Sequence, residues 1–350
     1  MHMADALLSP AVGATFWAGT LAAIGYASRK LKENLDDKMI PLMGVMGAFI
    51  FAAQMINFTI PGTGSSGHIG GGMILTIILG PSAAFLAIAS VLTVQALFFA
   101  DGGLLALGCN IWNLGIYPCF IVYPLLYKPL MGDSKSPARI LAVSTLSVVA
   151  ALQMGSLSVV IETMLSEKSA LPFGTFVLLM QPIHLAIGIV EGFITAGVIN
   201  YVRSARPEIL ESIAASRRLN PGVSVKKVVI AFVFLAVITG GVLSWFVSTH
   251  PDGLEWAIQK VTGKTELAEQ EHGIAPVLKD LQEKTAVLPD YDYKPDADSA
   301  KNKQAPAWPG IEAGTSVAGI VGAIIVLGVI LLVGMGIRTI RRRHVPSSGK

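Results

Sequence analysis

The chain has 350 residues, of which 53% are hydrophobic and only 14% are charged, and its formal net charge at pH 7 is +3. Soluble globular domains carry about 25% charged residues, so this composition, with a mean hydropathy of +0.62, excludes an ordinary soluble protein. Long apolar runs recur from end to end, which predicts an all-α polytopic membrane protein.

Nine apolar segments are the candidate membrane spans. They cover residues 11–28, 39–58, 71–80, 82–100, 103–128, 138–165, 174–202, 227–247 and 315–337. Four other segments are rich in Lys and Arg, namely 29–38, 128–139, 203–227 and 338–350. Because positively charged loops stay in the cytoplasm, we predict an inner (plasma) membrane protein with its amino terminus outside and its carboxyl terminus in the cytoplasm.

Residues 71–100 do not fit two ordinary spans. The loop at 59–70 and the turn at Asp101 must lie on the same side of the membrane, so the chain between them enters and returns. The first of its two helices, 71–80, reaches only about half of a hydrocarbon core of about 30 Å at about 1.5 Å per residue. We therefore predict a broken, partly re-entrant helix pair joined at Gly80-Pro81, buried in protein or lining a cavity.

The charge pattern divides the chain into two units. Residues 1–205 form a seven-helix unit, and 206–226 form a basic cytoplasmic linker. Residues 227–340 form a two-span module, followed by a cytoplasmic tail at 341–350. Between these two spans the acidic, Pro-containing stretch 249–314 is expected outside the membrane as a small, loosely structured segment without a second hydrophobic core.

The first two residues and one loop histidine form a candidate metal site. The terminal amine of Met1, the backbone nitrogen of His2 and its ring Nδ1 can close five- and six-membered chelate rings on one ion. His68, in the loop PGTGSSGHIGGG on the same side of the membrane, could supply a fourth nitrogen. Four nitrogens in a plane suit Ni(II) or Cu(II). The alternative is that the chain merely happens to begin with Met-His.

Two further constellations have both a functional and a structural explanation. His184 and Glu191 are seven residues apart on one helical face, and ionisable groups inside a span are functional candidates. A structural hydrogen-bonded pair explains them equally well. Ala48 and Ala52, with Gly44 a turn earlier, form a small-residue stripe that suits either internal packing or docking of another membrane subunit. Asp101 is expected to cap a turn.

The sequence lacks the motifs that several other functions require. Gly263-Lys264-Thr265 has the tail of a phosphate-binding loop, but Ile258 occupies the position of its first glycine, so no ATP site is predicted. The basic loops are explained by membrane topology, and no patch for nucleic acid is predicted. We also expect no permanently bound cofactor.

Four motifs in succession resemble the CbiM/NikM family, the substrate-specific components of energy-coupling-factor transporters for cobalt and nickel. They are MHMADALLSP at the start, NFTIPGTGSSGHIGGG at 57–72, LGPSAAFLAIASVLTVQALFFADGGLLALGCNIWNLG at 79–115 and LPFGTFVLLMQPIHLAIGIVEGFIT at 171–195. The resemblance covers about residues 1–205. The run PDGLEWAI at 251–258 is similar to the PDGLE-type NikN module that is fused to some members.

The resemblance implies a ligand set and partners. It implies that Met1, His2 and His68 hold the ion, in agreement with the candidate chelate at the start of the chain. It also implies a transmembrane T-component, two cytoplasmic ATPase subunits and a coupling face of the Ala-x-x-x-Ala type. Where members often read MHIPDG, this chain has MHMADA, which keeps Asp5 as a candidate hydrogen-bond acceptor for a ligand N–H or as a cap of the first helix.

These observations predict high-affinity binding and ATP-driven uptake of divalent nickel in the lipid bilayer, with no enzyme activity in this chain. Protons compete with the metal for the amine and imidazole nitrogens, so capture is expected to weaken as the pH falls. One alternative is cobalt uptake for cobalamin synthesis, and another is a self-sufficient ion-driven carrier. A third, from a different class, is an intramembrane metalloenzyme built on the polar pair in the seventh apolar segment.

Overall fold

The computed structural model describes residues 2–34, 36–169, 171–220, 222–268, 273–293, 310 and 313–343. These residues form α-helices and one antiparallel hairpin. The helices are α1 (Pro10–Asn34), α2 (Met39–Gln54), α3 (Gly72–Leu79), α4 (Pro81–Phe99), α5 (Leu107–Ile111), α6 (Lys128–Met131), α7 (Pro137–Ser166), α8 (Phe173–Ala205), α9 (Pro207–Ala214), α10 (Lys226–Gly241), α11 (Gly253–Thr262), α12 (Ala275–Thr285) and α13 (Ala313–Arg343). A π-helix over Trp112–Tyr127 joins α5 to α6.

The architecture confirms the predicted helical membrane fold. Five of the described helical segments are long and apolar enough to cross a membrane: α4, the continuous segment from α5 to α6, α7, α8 and α13. Helix α2 is apolar but has only 16 residues. The short strands β1 (Phe58–Ile60) and β2 (Ser65–Gly67) pair with Phe58 opposite Gly67, and they add a small hairpin that the sequence did not predict.

The broken helix pair is present as predicted. Helix α3 has eight residues and ends at Gly80, whose φ of 81° reverses the chain before Pro81 opens α4. Glycine suits this position because a side chain disfavours positive φ. The predicted linker 206–226 contains a helix of its own, α9, and the side chain of its Ile213 lies 3.7 Å from the Cβ position of Gly80. The break is therefore packed against protein.

Helix α2 lies at the centre of the bundle, covered by the C-terminal helices α10 and α13. Close approach occurs at Gly44 and Gly47, where a Cβ would contact Leu327 at 2.8 Å and overlap Ile330. The small-residue stripe is consequently internal, and Ala48 and Ala52 are 6% and 0% exposed. Docking of another subunit on these two alanines would require α10 and α13 to separate from α2.

The predicted loosely structured segment is more ordered than expected within its described residues. It contains α11 and α12, and Asp252 caps α11 in a capping box with Glu255. The segment is fixed to the hairpin, because Ser66 N donates to Pro251 O at 2.8 Å and Trp256 Nε1 donates to Thr63 O at 3.0 Å. The expectation of loose structure was wrong because the segment folds against the other unit rather than around its own core.

Candidate metal centre

The amino-terminal segment is threaded into the protein next to the turn that follows α4. Met3 is fully buried, and its backbone N–H donates to Asn110 Oδ1 at 2.8 Å. The Met3 carbonyl accepts from Gly103 N at 2.9 Å and from Asn110 Nδ2 at 3.3 Å. These three bonds fix the backbone of the residue that follows His2. Met1, the first proposed ligand, lies outside the described residues.

Two carboxylates lie near the terminus, and they contact different groups. Asp5 Oδ1 accepts a hydrogen bond from Ala106 N at 2.9 Å, which ties the terminal segment to the 101–106 turn. The carboxylate beside the His2 ring belongs to Asp101, whose Oδ1 lies 3.0 Å from His2 Nδ1. The sequence predicts only a turn cap at Asp101, whereas the structure places its carboxylate against the ring of a candidate ligand.

His2 and His68, which are distant in sequence, stack on each other. Their ring centroids are 5.1 Å apart and the ring planes differ by 13°. Among the described residues, no cluster of three or more His, Cys, Asp or Glu side chains gathers around a possible metal position. A metal ion at the stacked histidines would therefore need ligands other than described side chains of these four types.

Each histidine has a ring nitrogen available. His68 Nδ1 lies 3.0 Å from Ile69 O, a hydrogen bond that requires a proton on Nδ1 and leaves the lone pair on Nε2. Burial lowers the pKa of His68 to about 3, so its ring is neutral near pH 7. The His2 side chain is 8% exposed, and its Nε2 has no hydrogen-bond partner among the described residues.

Glu191 anchors the loop that carries His68. Its two carboxylate oxygens accept from Gly70 N at 2.7 Å and Gly71 N at 2.9 Å, at the start of α3. These N–H groups lie at the amino end of α3, where backbone donors have no partner within the helix. His184 does not share these bonds, since its Nδ1 faces Met180 O at 2.8 Å. The predicted pair thus consists of two buried residues with separate hydrogen-bond partners.

We expect Glu191→Gln to destabilise the His68 loop. The amide oxygen can accept from one of the two loop N–H groups, but the amide NH2 is a donor and cannot accept from the other. One buried N–H group therefore loses its partner, which lowers the free energy of unfolding by about 1–3 kcal/mol. Thermal unfolding and nickel titration in detergent should both show a loss. Glu33→Gln, at an exposed position on α1, is the matched control, because surface ion pairs contribute little. Unchanged stability would remove the loop-anchoring role.

The C-terminal module forms one wall of the site. The Tyr291 hydroxyl donates to Asp101 Oδ2, and Gln282 Nε2 donates to Gly102 O at 2.7 Å. Burial alone would raise the pKa of Asp101, but the nearby His2 and the hydrogen bonds from His2 and Tyr291 hold this pKa below its usual value. A cavity of about 690 Å³ opens here and is lined by His2, His68, Asp101 and residues of the module.

Comparison with known proteins agrees with this architecture. Residues 2–209 match the CbiM family, described as the cobalt uptake substrate-specific transmembrane region, and residues 226–339 match the PDGLE domain. A protein of Archaeoglobus fulgidus, provisionally named a fused nickel transport protein NikMN, is 34% identical over 331 residues, which is 93% of this chain and 96% of its own length.

Other relatives match about three fifths of this chain. The fused nickel transport protein NikMN of Rhodobacter capsulatus is 30% identical over 222 residues, 60% of this chain and 64% of its own. A crystal structure of a transition metal transporter is 29% identical with a TM-score of 0.52, and the match covers 59% of this chain and 95% of that one. The chain is therefore a multi-pass membrane transport protein and not an enzyme. It belongs to the CbiM family of nickel and cobalt transporters and carries a fused PDGLE domain.

Proposed function

We propose that this chain binds divalent nickel through the terminal amine of Met1, the backbone and ring nitrogens of His2, and His68. The observation that carries the proposal is the stacking of His2 on His68 beside a terminus held by Met3 and Asn110. A terminal chelate needs a fixed backbone, because a mobile terminus would lose conformational entropy when the ion binds. Nickel is the cargo in this proposal, released after capture.

Closing the chelate requires the His2 ring to turn. Nδ1, the nitrogen that can chelate together with the His2 backbone nitrogen, faces Asp101 at 3.0 Å, whereas Nε2 has no partner among the described residues. Half a turn about Cβ–Cγ exchanges Nδ1 with Cδ2 and Nε2 with Cε1. Nδ1 then becomes available to the ion, and Nε2 takes the ring position from which its N–H can reach Asp101. A carboxylate in this role orients a metal-bound histidine.

We expect Asp101→Asn to weaken nickel binding by about 10–100-fold, the usual cost of losing a partner of a metal ligand. Tyr291→Phe should weaken it less, because it removes only the hydroxyl that donates to Asp101. Tyr293→Phe is the matched control, since Tyr293 is 54% exposed. Isothermal titration of the purified full chain measures all three. Wild-type affinity in Asp101→Asn would exclude the orienting role.

We propose nickel rather than cobalt as the cargo because of the names that the relatives carry. The relatives that match this chain and are named fused NikMN proteins transport nickel by name. Relatives named as cobalt transport proteins CbiM also match, at 28% identity over 64% of the chain. Competition titration with Ni(II) and Co(II) on the full chain distinguishes them, and tighter cobalt binding would make cobalt the cargo.

Transport would be driven by partner subunits. The chain would act as the substrate-specific subunit beside a T-component and two cytoplasmic ATPases, with its amino terminus outside and its carboxyl terminus in the cytoplasm. Uptake in vesicles that contain the full complex should need ATP and should stop when the ATPase subunits are omitted. Uptake by this chain alone along an ion gradient would instead support a self-sufficient carrier.

A further inference from the structure

A second imidazole lies close to His68 and takes no part in the proposed chelate. His184 is 1% exposed, and the contact of its Nδ1 with Met180 O at 2.8 Å is a hydrogen bond only if Nδ1 carries the proton. The lone pair is then on Nε2, which has no hydrogen-bond partner among the described residues. Buried polar atoms rarely lack a partner, so this nitrogen points to an unassigned ligand.

His184 and His68 line the same small cavity. The cavity has a volume of about 10 Å³ and is walled by His68, His184, Asp252, Gly253 and apolar side chains. This volume is about the minimum that holds one water molecule, and it is enough for one metal ion. Because backbone carbonyls fix both tautomers, each of these two lining imidazoles has an unprotonated Nε2. Two neutral imidazoles are good ligands for nickel and copper.

The PDGLE run closes this cavity at one side. A Cβ at Gly253 would lie 2.6 Å from Ile183 Cγ2 and 3.4 Å from His184 Cε1, so α11 approaches α8 this closely because residue 253 is glycine. Asp252, the preceding residue, adds a carboxylate to the wall. The C-terminal module therefore forms part of this second cavity as well as part of the large one.

A further small cavity is next to this one. It also has a volume of about 10 Å³, and it shares Gly70, Leu114 and Leu152 with the His68–His184 cavity. Its lining includes Glu191 and Asn113, whose Oδ1 has no partner among the described residues. The two small cavities together are therefore lined by the polar side chains of His68, His184, Asn113 and Glu191.

We propose that His184 is a second metal ligand, which receives the ion together with His68 after the terminal chelate opens. This inference rests on the proposed function, because it takes the ion as cargo. In the transfer, the bonds from the metal to the amine, to the amide nitrogen and to His2 Nδ1 break. The metal keeps His68 Nε2 and gains His184 Nε2 and water ligands. The amide nitrogen takes one proton from solvent, and the ion stays divalent throughout.

The first test counts the imidazoles that coordinate a bound Cu(II) ion. Cu(II) accepts the same nitrogen ligands and is visible by electron paramagnetic resonance. In the full-length His2→Ala variant, which lacks the chelate ring, we expect spin-echo modulation from two coordinated imidazoles. The double variant His2→Ala/His184→Gln should show one. A single imidazole in both variants would overturn the inference and leave an ordered water as the occupant of the cavity.

Transport provides the second test. In vesicles with the complete complex, nickel uptake by His184→Gln should fall by about 10-fold or more, the lower end of typical losses at metal-supporting residues, and by more than its affinity falls. His250→Gln is the control, since His250 is exposed on the C-terminal module and lines neither small cavity. Uptake equal to that of the control would contradict the inference.

The His2→Ala variant separates failure of the chelate from failure of the transfer. If the proposed chelate is wrong, His2→Ala will keep wild-type nickel affinity. If only the transfer to His184 is wrong, His2→Ala will lose affinity and the second imidazole signal will be absent. Should His184→Gln fail to fold, the Cu(II) spectrum of His2→Ala decides on its own, because a single coordinated imidazole in that variant would contradict the transfer to His184.

Discussion

His2→Ala is expected to lose nickel affinity by more than about 100-fold, because residues that only support a ligand already cost about 10–100-fold. The substitution removes a ring nitrogen and the six-membered chelate ring, and the backbone bonds at Met3 that hold the segment remain. His68→Ala should have a loss of similar size, since it removes the other stacked ring. Isothermal titration and equilibrium dialysis of the purified chain measure both.

The control for these two variants is His250→Ala, which removes an exposed imidazole from the C-terminal module. It should bind nickel like the wild type, because its side chain does not line the cavity at the stacked histidines. Near-normal affinity in His2→Ala would mean that the terminus is not a ligand. The same result in His68→Ala alone would mean that the fourth nitrogen comes from elsewhere.

Gly103→Ala is expected to expel the amino-terminal segment from its place and to remove most nickel binding while the helical bundle persists. A Cβ at this position would overlap the Asp5 carboxylate and lie 2.5 Å from Asp5 N. Both groups belong to the segment that carries His2, and the Gly103 N–H is itself bonded to Met3 O at 2.9 Å. The segment around Asp5 has no long helix of its own, so it can be displaced at a lower free-energy cost than the helices on either side of the turn.

Gly197→Ala on α8 is the matched control, because a Cβ there would meet nothing within 4 Å. Circular dichroism should give the same helix content for both variants, whereas nickel titration should separate them. Limited proteolysis followed by mass spectrometry should detect cleavage near the amino terminus of Gly103→Ala alone. Wild-type affinity in Gly103→Ala would show that nickel binding tolerates displacement of the segment, which contradicts a chelate built on a fixed terminus.

The helical framework could be predicted from sequence because membrane spans are long and uniformly apolar. The break at Gly80-Pro81 could be predicted because the loops before and after 71–100 must lie on the same side of the membrane and the first helix is too short to span it. The structure has α3 ending and α4 beginning there. Helices α11 and α12 could not be predicted, because α11 buries its apolar face against the first unit and α12 is tied to the end of α4 by hydrogen bonds of Gln282. Composition reports whether a segment has its own core, but it does not report that a neighbour supplies one. The β1–β2 hairpin was missed because its strands have only three residues each.

The sequence singled out the two histidines that the structure brings together, but it did not predict the residues around them. His2 was suggested by its position next to Met1, and His68 by its loop on the same side of the membrane. The structure brings their rings together. Asp101 carried a usable signal, since it precedes two glycines in a turn on the same side as the His68 loop. Tyr291 carried none, because it lies 190 residues further along the chain and reaches Asp101 only through packing of the two units.

The most direct test of the proposed chelate is the nickel K-edge X-ray absorption spectrum of the nickel-loaded full chain. Four nitrogen ligands in a plane predict a four-coordinate shell with the pre-edge feature of planar nickel, and His68→Ala should lose that shell. A six-coordinate, oxygen-rich shell, or one with sulfur ligands, would contradict a chelate built on the amino terminus, His2 and His68.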